Sequence, residues 1–170
     1  MTDFAALAQE AVQFMADNQL AVDAHQGAAW TENKLLRAVS GVESAGGTTA
    51  LSYSYGEALK RSVLQVNNRA EAYTFTHAIF FGTDFGKKSL TGIDVTAYSA
   101  AIETHIFTYA NDFDVLGEML TAAKCLGYWS TNLDSARDSF VTAWQALDRN
   151  DFAQNYHTIL VGGILFSMMG

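Results

Sequence analysis

No proline occurs in the 170 residues of this chain, although average usage of about 5% would give roughly eight. Proline is the strongest helix breaker, because its ring removes a backbone hydrogen bond and clashes with the preceding turn. Its absence therefore suits a chain of stacked helices. Turn signals fall at fairly regular intervals instead, at glycine and asparagine positions such as Gly46-Gly47, Asn67-Asn68 and Gly92.

Between the turn signals, apolar residues recur at the spacing of an α-helix. Phe140, Val141 and Trp144 show this spacing, and we expect Asp134 to cap their helix. No stretch alternates strictly over six residues, so strands are not required. The predicted helices cover residues 4–15, 31–42, 56–66, 70–83, 94–109, 114–127, 134–148 and 151–168, and a long polar loop covers 43–55. We predict a single all-α domain over 1–170, built of antiparallel helical hairpins that form an open solenoid or an α/α toroid.

Composition and charge exclude several classes of function. Apolar residues make up 49% of the chain, enough to bury a core. Ten Lys and Arg stand against 18 Asp and Glu, a formal net charge of -8. Nucleic acids and anionic membranes attract basic proteins, so neither is an expected partner. The N-terminus lacks the basic region of a signal peptide, and the C-terminal run TILVGGILFSMM is shorter than the roughly 20 residues of a membrane span. We expect a cytoplasmic protein.

Two short blocks of the sequence are similar to each other. Thr76-His77 begins the first block and Thr104-His105 begins the second. In both blocks an aromatic residue follows the histidine by four positions, and Asp-Phe follows it by seven and eight. A looser third copy starts at Tyr156-His157-Thr158 and lacks the aspartate. Self-similarity at the length of a helical hairpin predicts that such hairpins stack within residues 70–168.

Three phrases of the sequence also match a known pattern: YTFTHAIFFGTDFG, DFDVLGEMLTAAKCLGYW and NYHTILVGGILF. They resemble an uncharacterised family of bacterial helical proteins. In that family a TH-aromatic-TDFG block precedes a D-x-D helix ending in CLG, and a YHT block closes the chain. The resemblance covers Tyr73 to Gly163. It implies an α/α-hairpin fold and an association with genes for natural-product or modified-peptide biosynthesis, and it implies no settled activity.

The three histidines of these blocks, His77, His105 and His157, are the first candidates for catalysis. Each is predicted to lie within a helix among apolar residues. If successive hairpins stack, equivalent positions point to the same side, and the imidazoles face one hollow. Imidazole titrates near pH 6.5, so such a cluster beside carboxylates would suit general acid–base chemistry. The alternative is that each is a core histidine, hydrogen-bonded to neighbouring backbone or hydroxyl groups.

Asp84 and Asp112 are the candidate carboxylates, seven residues after His77 and His105. Seven residues are two helical turns, about 10 Å by rise, so neither aspartate can contact its own histidine along one straight helix. Both have structural interpretations, Asp112 as the cap of the next helix and Asp84 in a turn. The functional alternative is that one of them orients a histidine of a neighbouring helix.

The remaining candidates are aromatic residues that would line an apolar pocket, although such residues also form cores. They are Tyr73, Phe81, Tyr109 and Tyr156. A metal site is the weaker interpretation, because the sequence contains no H-E-x-x-H, E-x-x-H or H-x-H pattern. We therefore predict no metal and no cofactor. The single cysteine, Cys125, lies in an apolar run that is typical of packing rather than of a nucleophile.

Two functions remain. The first is a small cofactor-free tailoring enzyme for an apolar natural-product or peptide intermediate, whose histidines and aspartates move protons in an isomerisation or cyclisation. The second is a non-catalytic binding or scaffold protein for a peptide, an apolar intermediate or a partner biosynthetic enzyme. Histidines repeated inside apolar helices favour the enzyme, because a common pocket would explain them, although duplication of one hairpin would also produce them without function.

Overall fold

A computed structural model describes residues 66–90, 93–148 and 150–170, together with five single positions. The predicted helices over 4–15 and 31–42, most of that over 56–66, and the predicted loop over 43–55 lie outside the described residues. The described ranges hold five α-helices and no strand, which confirms the all-α prediction. The helices are α1 (Arg69–Gly82), α2 (Val95–His105), α3 (Phe113–Cys125), α4 (Thr131–Ala146) and α5 (Phe152–Met169). None of these helices is long and apolar enough to cross a membrane.

The predicted end of α2 is wrong by four residues, because this helix ends at His105 rather than at 109. The chain then makes successive tight turns. The backbone N–H groups of Thr108 and Asp112 donate to the carbonyls of His105 and Tyr109, 2.9 Å away in each case. Aromatic and β-branched residues dominate this stretch, and they are weaker helix formers than straight-chain residues.

The start of α4 also differs from the prediction, because Ser130 and not Asp134 is the N-cap. Oγ of Ser130 accepts a hydrogen bond from the backbone N–H of Leu133 at 3.3 Å. The carboxylate of Asp134 is bound elsewhere. It accepts from Nε1 of Trp129 at 3.0 Å and from Nη1 of Arg137 at 2.7 Å.

The chain divides into two compact units, Met1–Phe81 and Gly82–Gly170. The first unit contains α1 except for its last residue. Side chains satisfy the open backbone donors at the start of this helix. Oδ1 of Asn68 accepts from the backbone N–H of Glu71 at 3.0 Å, and Oε2 of Glu71 accepts from the backbone N–H of Asn67 at 2.8 Å. Such a reciprocal pair follows the logic of a capping box. The prediction of a single domain stays a prediction.

In the second unit, α3, α4 and α5 pack against one another. Helices α3 and α5 run in the same direction. At their N-terminal ends, Asp114 of α3 contacts His157 of α5. At their C-terminal ends, Cys125 and Met168 both lie against Gly86.

Helix α4 runs opposite to α5. The ring of Phe140 lies 6.1 Å from that of Phe166. One turn further along α4, Trp144 lies against Gly162, which is one turn back along α5. Because α3 and α5 are parallel, α4 is antiparallel to both, so α3–α4 and α4–α5 are antiparallel helical hairpins as predicted.

Close packing of this bundle depends on Gly117 of α3. A Cβ at this position would lie 2.6 Å from Cε2 of Phe140 and 2.8 Å from Cγ1 of Val161. Carbon atoms pack at about 3.5–4.0 Å, so only glycine allows the three helices this approach. The core around it is aliphatic and aromatic, with Leu116, Met119, Leu120, Leu133, Phe140 and Leu165 fully buried.

Glu103 joins α2 to the connection between α3 and α4. Its carboxylate accepts hydrogen bonds from the Tyr128 hydroxyl at 2.8 Å, from Nδ2 of Asn132 at 2.9 Å and from the Ser130 hydroxyl. Burial alone would raise the pKa of Glu103, but the hydrogen bonds from these three residues outweigh it and lower the pKa. The hydrogen bond to Glu103 in turn raises the pKa of Tyr128. Glu103 is therefore a contact between helices.

Candidate functional site

Three titratable side chains of the second unit meet between α3 and α5. Nδ1 of His157 lies 2.5 Å from Oδ1 of Asp114. Nε2 of the same ring lies 3.6 Å from Oε1 of Glu118. The imidazole thus stands between two carboxylates, one at each ring nitrogen. We refer to this group as the Asp114–His157–Glu118 site.

Helical spacing explains why these side chains meet. Asp114 and Glu118 are four residues apart on α3, so they lie one above the other on the same face. On α5, His157 is followed at the same spacing by Val161 and Leu165, which are both buried. The imidazole therefore lies on the face of α5 that packs in the bundle. Because α3 and α5 are parallel, their first turns bring the three groups together.

The site is closed around the carboxylates and partly open at the imidazole. The side chain of Glu118 is 1% exposed, that of Asp114 14% and that of His157 23%. A buried carboxylate is costly unless opposite charge or hydrogen bonds compensate for it. Asp114 lies in the first turn of α3, where the helix dipole favours negative charge. A protonated His157 would offset the charges of both carboxylates.

The contact with Asp114 defines which ring nitrogen carries a proton in the neutral imidazole. An ionised carboxylate can only accept hydrogen bonds, so Nδ1 of His157 donates to Oδ1 of Asp114. Nε2 then holds a lone pair on the side of Glu118. The distance of 3.6 Å between Nε2 and Oε1 exceeds that of a good hydrogen bond. The pair can therefore hold a further group between them, such as a substrate proton, a water molecule or an ion.

The other two candidate histidines lie on other helices. His77 lies in α1, in the first unit, and is 4% exposed. Its ring is 5.5 Å from that of Phe81, 5.8 Å from that of Tyr73 and 5.9 Å from that of Phe80, between centroids. His105 is the half-buried last residue of α2. The two repeat blocks therefore differ locally, one histidine lying within a helix and the other at a helix end. That the three imidazoles face one hollow stays a prediction.

The two candidate aspartates occupy the structural positions considered for them. Oδ1 of Asp112 accepts a hydrogen bond from the backbone N–H of Val115 at 3.3 Å and caps α3. Asp84 is exposed in the turn after α1, where its carboxylate lies 3.6 Å from Nζ of Lys87. The carboxylate at Nδ1 of His157 belongs instead to Asp114. An aspartate thus contacts a histidine of another helix, as the functional alternative required, but it is a different aspartate.

Of the four aromatic candidates, Tyr156 lies beside the imidazole of the site. Its ring centroid is 6.0 Å from that of His157, with the two planes at 82°. It is 52% exposed, so it forms part of the surface there. Tyr73 and Phe81 pack in the aromatic group of the first unit, and Tyr109 is buried in the turns between α2 and α3.

The site also offers atoms of the kind that bind transition metals. Nε2 of His157 and Oε1 of Glu118 are 3.6 Å apart, which suits two ligands of one ion with metal–ligand distances of about 2.0–2.2 Å. Asp114 at Nδ1 would then fix the orientation of the ring, as carboxylates do for metal-bound histidines. Among the described residues of the second unit, His157 and Glu118 supply the two ligand atoms of this candidate metal site.

Cys125 has the properties of a packing residue. Burial raises the pKa of its thiol to about 11, and a hydrogen bond with Thr83 only partly opposes this effect. The thiol is therefore protonated at neutral pH, which is unfavourable for a nucleophile.

Sequence reasoning missed Asp114 and Glu118. A signal for them was present, because the phrase DFDVLGE places two carboxylates four residues apart on a helix that is mostly apolar. Glu118 in particular is a charged residue among Leu116, Met119 and Leu120, which are fully buried. A charge at such a position requires a partner or a function.

A family model described as a domain of unknown function (DUF6895) matches residues 5–166. This confirms the prediction of an uncharacterised family. No curated protein and no solved structure matches the chain.

Proposed function

Since the chain belongs to DUF6895, a family of domains of unknown function, we propose its activity from the site alone: general acid–base catalysis by His157, with Asp114 and Glu118 as its partners. The observation that carries this proposal is the imidazole between two carboxylates, with Nδ1 at 2.5 Å from Asp114 and Nε2 at 3.6 Å from Glu118. The arrangement resembles the orientation of a catalytic histidine by a buried carboxylate.

The proposed reaction moves one proton within the substrate. Nε2 of His157 takes a proton from a carbon or heteroatom of the substrate, and the electron pair of that bond shifts into the substrate. The imidazolium is stabilised by Asp114 at one nitrogen and by Glu118 at the other. The imidazolium proton exchanges with solvent, and Nε2 then delivers a proton to a different substrate atom. The product has the mass of the substrate, as in an isomerisation or a cyclisation without loss of atoms.

The surface beside the imidazole favours an apolar substrate. Tyr156 and Leu160 are four residues apart on α5 and are 52% and 56% exposed. Large apolar side chains at such exposure can bind the apolar part of a ligand. Together with the resemblance drawn from the sequence, they support a natural-product or peptide intermediate as the substrate class.

A turnover experiment tests the proposal. An extract of the organism that carries this chain is incubated with the purified protein in deuterated water and analysed by mass spectrometry. We expect a compound to be depleted while an isomer of it accumulates with solvent deuterium at one position. His157→Gln should abolish the conversion, and Asp114→Asn should slow it by about 10²–10⁴-fold, as for a misoriented catalytic histidine. Gln154→Ala, an exposed change on the same helix, is the matched control.

Two results would overturn catalysis by His157. One is conversion at the wild-type rate by the folded His157→Gln protein. The other is binding of an extract component by the wild-type protein without any conversion, which would favour the alternative of a binding or scaffold protein.

A metal-dependent function is the second candidate, and the 3.6 Å separation of Nε2 of His157 and Oε1 of Glu118 favours it. Protein purified without a histidine tag or chelators would then contain zinc or another transition metal at close to one ion per chain. Glu118→Gln should lose the ion, while Asp138→Asn, an exposed change, should keep it. Isomer formation that survives complete removal of the metal would decide for the metal-free mechanism.

A further inference from the structure

A cavity of about 260 Å³ lies in the second unit, between the turn that follows α1 and the C-terminal end of α3. Lys87 and Lys88 of the turn and Lys124 of α3 line it, and Ser89 adds a hydroxyl group. The unit Gly82–Gly170 contains five Lys and Arg against ten Asp and Glu. Three of its five cationic side chains therefore surround one cavity in an otherwise acidic unit.

These lysines are only weakly engaged by other groups. Nζ of Lys124 lies 4.3 Å from the ring centre of Trp129. Nζ of Lys87 lies 3.6 Å from the carboxylate of Asp84, and both side chains are largely exposed, so this pair contributes little. Within the described ranges, Lys88 takes part in no ion pair. The three ammonium groups repel one another in a shared cavity. An anion bound between them would offset this electrostatic repulsion.

The backbone fixes the turn against the end of α3. Asp84, Phe85 and Gly86 have φ values of 48°, 52° and 82°, in the left-handed region that favours glycine. A Cβ at Gly86 would lie 3.4 Å from the Cα of Cys125, so the turn lies directly on α3.

Several backbone donors of the turn are already used within it. The N–H of Gly86 donates to Oγ1 of Thr83 at 3.0 Å, and the N–H of Lys88 donates to the carbonyl of Thr83 at 2.9 Å. The N–H groups of Gly86 and Lys88 are therefore not available to a ligand, and the lysine side chains provide the positive charge of the cavity.

We propose that this cavity binds the phosphate group of a small molecule. Lysine ammonium groups act as point charges, and phosphate, with up to two negative charges at neutral pH, gains most from several of them. The volume is below the 300–1,000 Å³ typical of sites for drug-sized ligands, so it suits one small group and its waters. The proposal is independent of the acid–base function, because it uses none of the residues of that site.

Inorganic phosphate is the probe for the test. The ¹⁵N-labelled protein is titrated with phosphate at constant ionic strength, and the backbone amide shifts are followed. We expect saturable shifts at Gly86, Lys88 and Gly127. Lys88→Gln and Lys124→Gln should each weaken phosphate binding roughly tenfold, the scale of one lost charge-assisted hydrogen bond.

Arg137→Gln is the matched control. It removes one positive charge from the same unit, but Arg137 pairs with Asp134 and Asp138 and does not line the cavity. It should leave the affinity for phosphate within about twofold. The proposal is overturned if Arg137→Gln weakens binding as much as the lysine variants do, or if citrate and chloride produce the same saturable shifts as phosphate. The amide spectrum of each variant shows directly whether it is folded.

Discussion

Asp114 and His157 are 43 positions apart in the chain, yet Oδ1 of Asp114 lies 2.5 Å from Nδ1 of His157. The contact depends on the parallel packing of α3 and α5, since two helices that ran in opposite directions would place these first turns at opposite ends. It joins a side chain at the N-terminus of α3, where negative charge is favoured, to an imidazole that also faces the buried Glu118. Charge at His157 is thus linked to the packing of the bundle.

Removal of the negative charge at Asp114 should make His157 a weaker base. Asp114→Asn keeps the shape of the side chain and its oxygen acceptor, but it no longer stabilises the imidazolium electrostatically. We expect the titration midpoint of His157 to fall, as measured by NMR of the ring Cε1–H. Asp138→Asn, at an exposed carboxylate paired with Arg137, is the control. An unchanged midpoint in Asp114→Asn would show that the two groups do not interact in solution.

A pair of glycine substitutions tests the packing of the bundle. Gly117→Ala would place a Cβ 2.6 Å from Cε2 of Phe140, and it should destabilise the protein by about 1–3 kcal/mol. Gly163→Ala meets no atom within 4 Å, and it should stabilise α5 by about 0.5–1 kcal/mol. Urea denaturation measures both free energies of unfolding. Equal effects of the two substitutions would contradict the packing described for α3.

Helical periodicity predicted the five helices of the described ranges, because it records which face of each helix is buried. It failed where the apolar spacing continued past the end of α2, since turn residues such as Ile106 and Tyr109 are buried as well. It also wrongly selected Asp134 instead of Ser130 as the cap of α4. Both are good capping residues, and the choice depends on Asp134 binding Trp129 and Arg137.

The site was predicted only in part. His157 was a candidate, but its partners were sought among the aspartates of the repeat, Asp84 and Asp112. Sequence spacing does place Asp114 and Glu118 on one face of α3. It carries no information on the direction in which α3 and α5 pack, and that direction alone brings this face to the histidine.

The stability contributed by Glu103 should depend on pH. Its pKa is lowered below 4.5 in the folded chain, because the hydrogen bonds from Ser130, Asn132 and Tyr128 outweigh the effect of burial. When folding lowers the pKa of a carboxyl group, the group stabilises the folded state fully at pH values above its pKa in the unfolded state. This stabilisation is lost as the pH falls through its pKa in the folded state. Glu103→Gln should therefore destabilise the protein by about 1 kcal/mol at neutral pH, and less at about pH 3.5.

Urea denaturation at the two pH values measures this difference. Glu10→Gln, at an exposed acidic residue, is the control and should have little effect at either pH. A difference between wild type and Glu103→Gln that stays constant with pH would show that the ionised carboxylate is not what joins α2 to the α3–α4 connection.

The thiol of Cys125 should react slowly with alkylating reagents. Burial raises its pKa to about 11, whereas a free cysteine has a pKa of about 8.5. The thiolate is the reacting species, so near pH 8 we expect alkylation by iodoacetamide about a hundredfold slower than that of a cysteine-containing peptide. The rate should rise about tenfold per pH unit up to pH 10, as measured by mass spectrometry of the native protein. Reaction as fast as that of the peptide would mean that the thiol is exposed and that its pKa is not raised. Cys125 would then have to be reconsidered as a nucleophile.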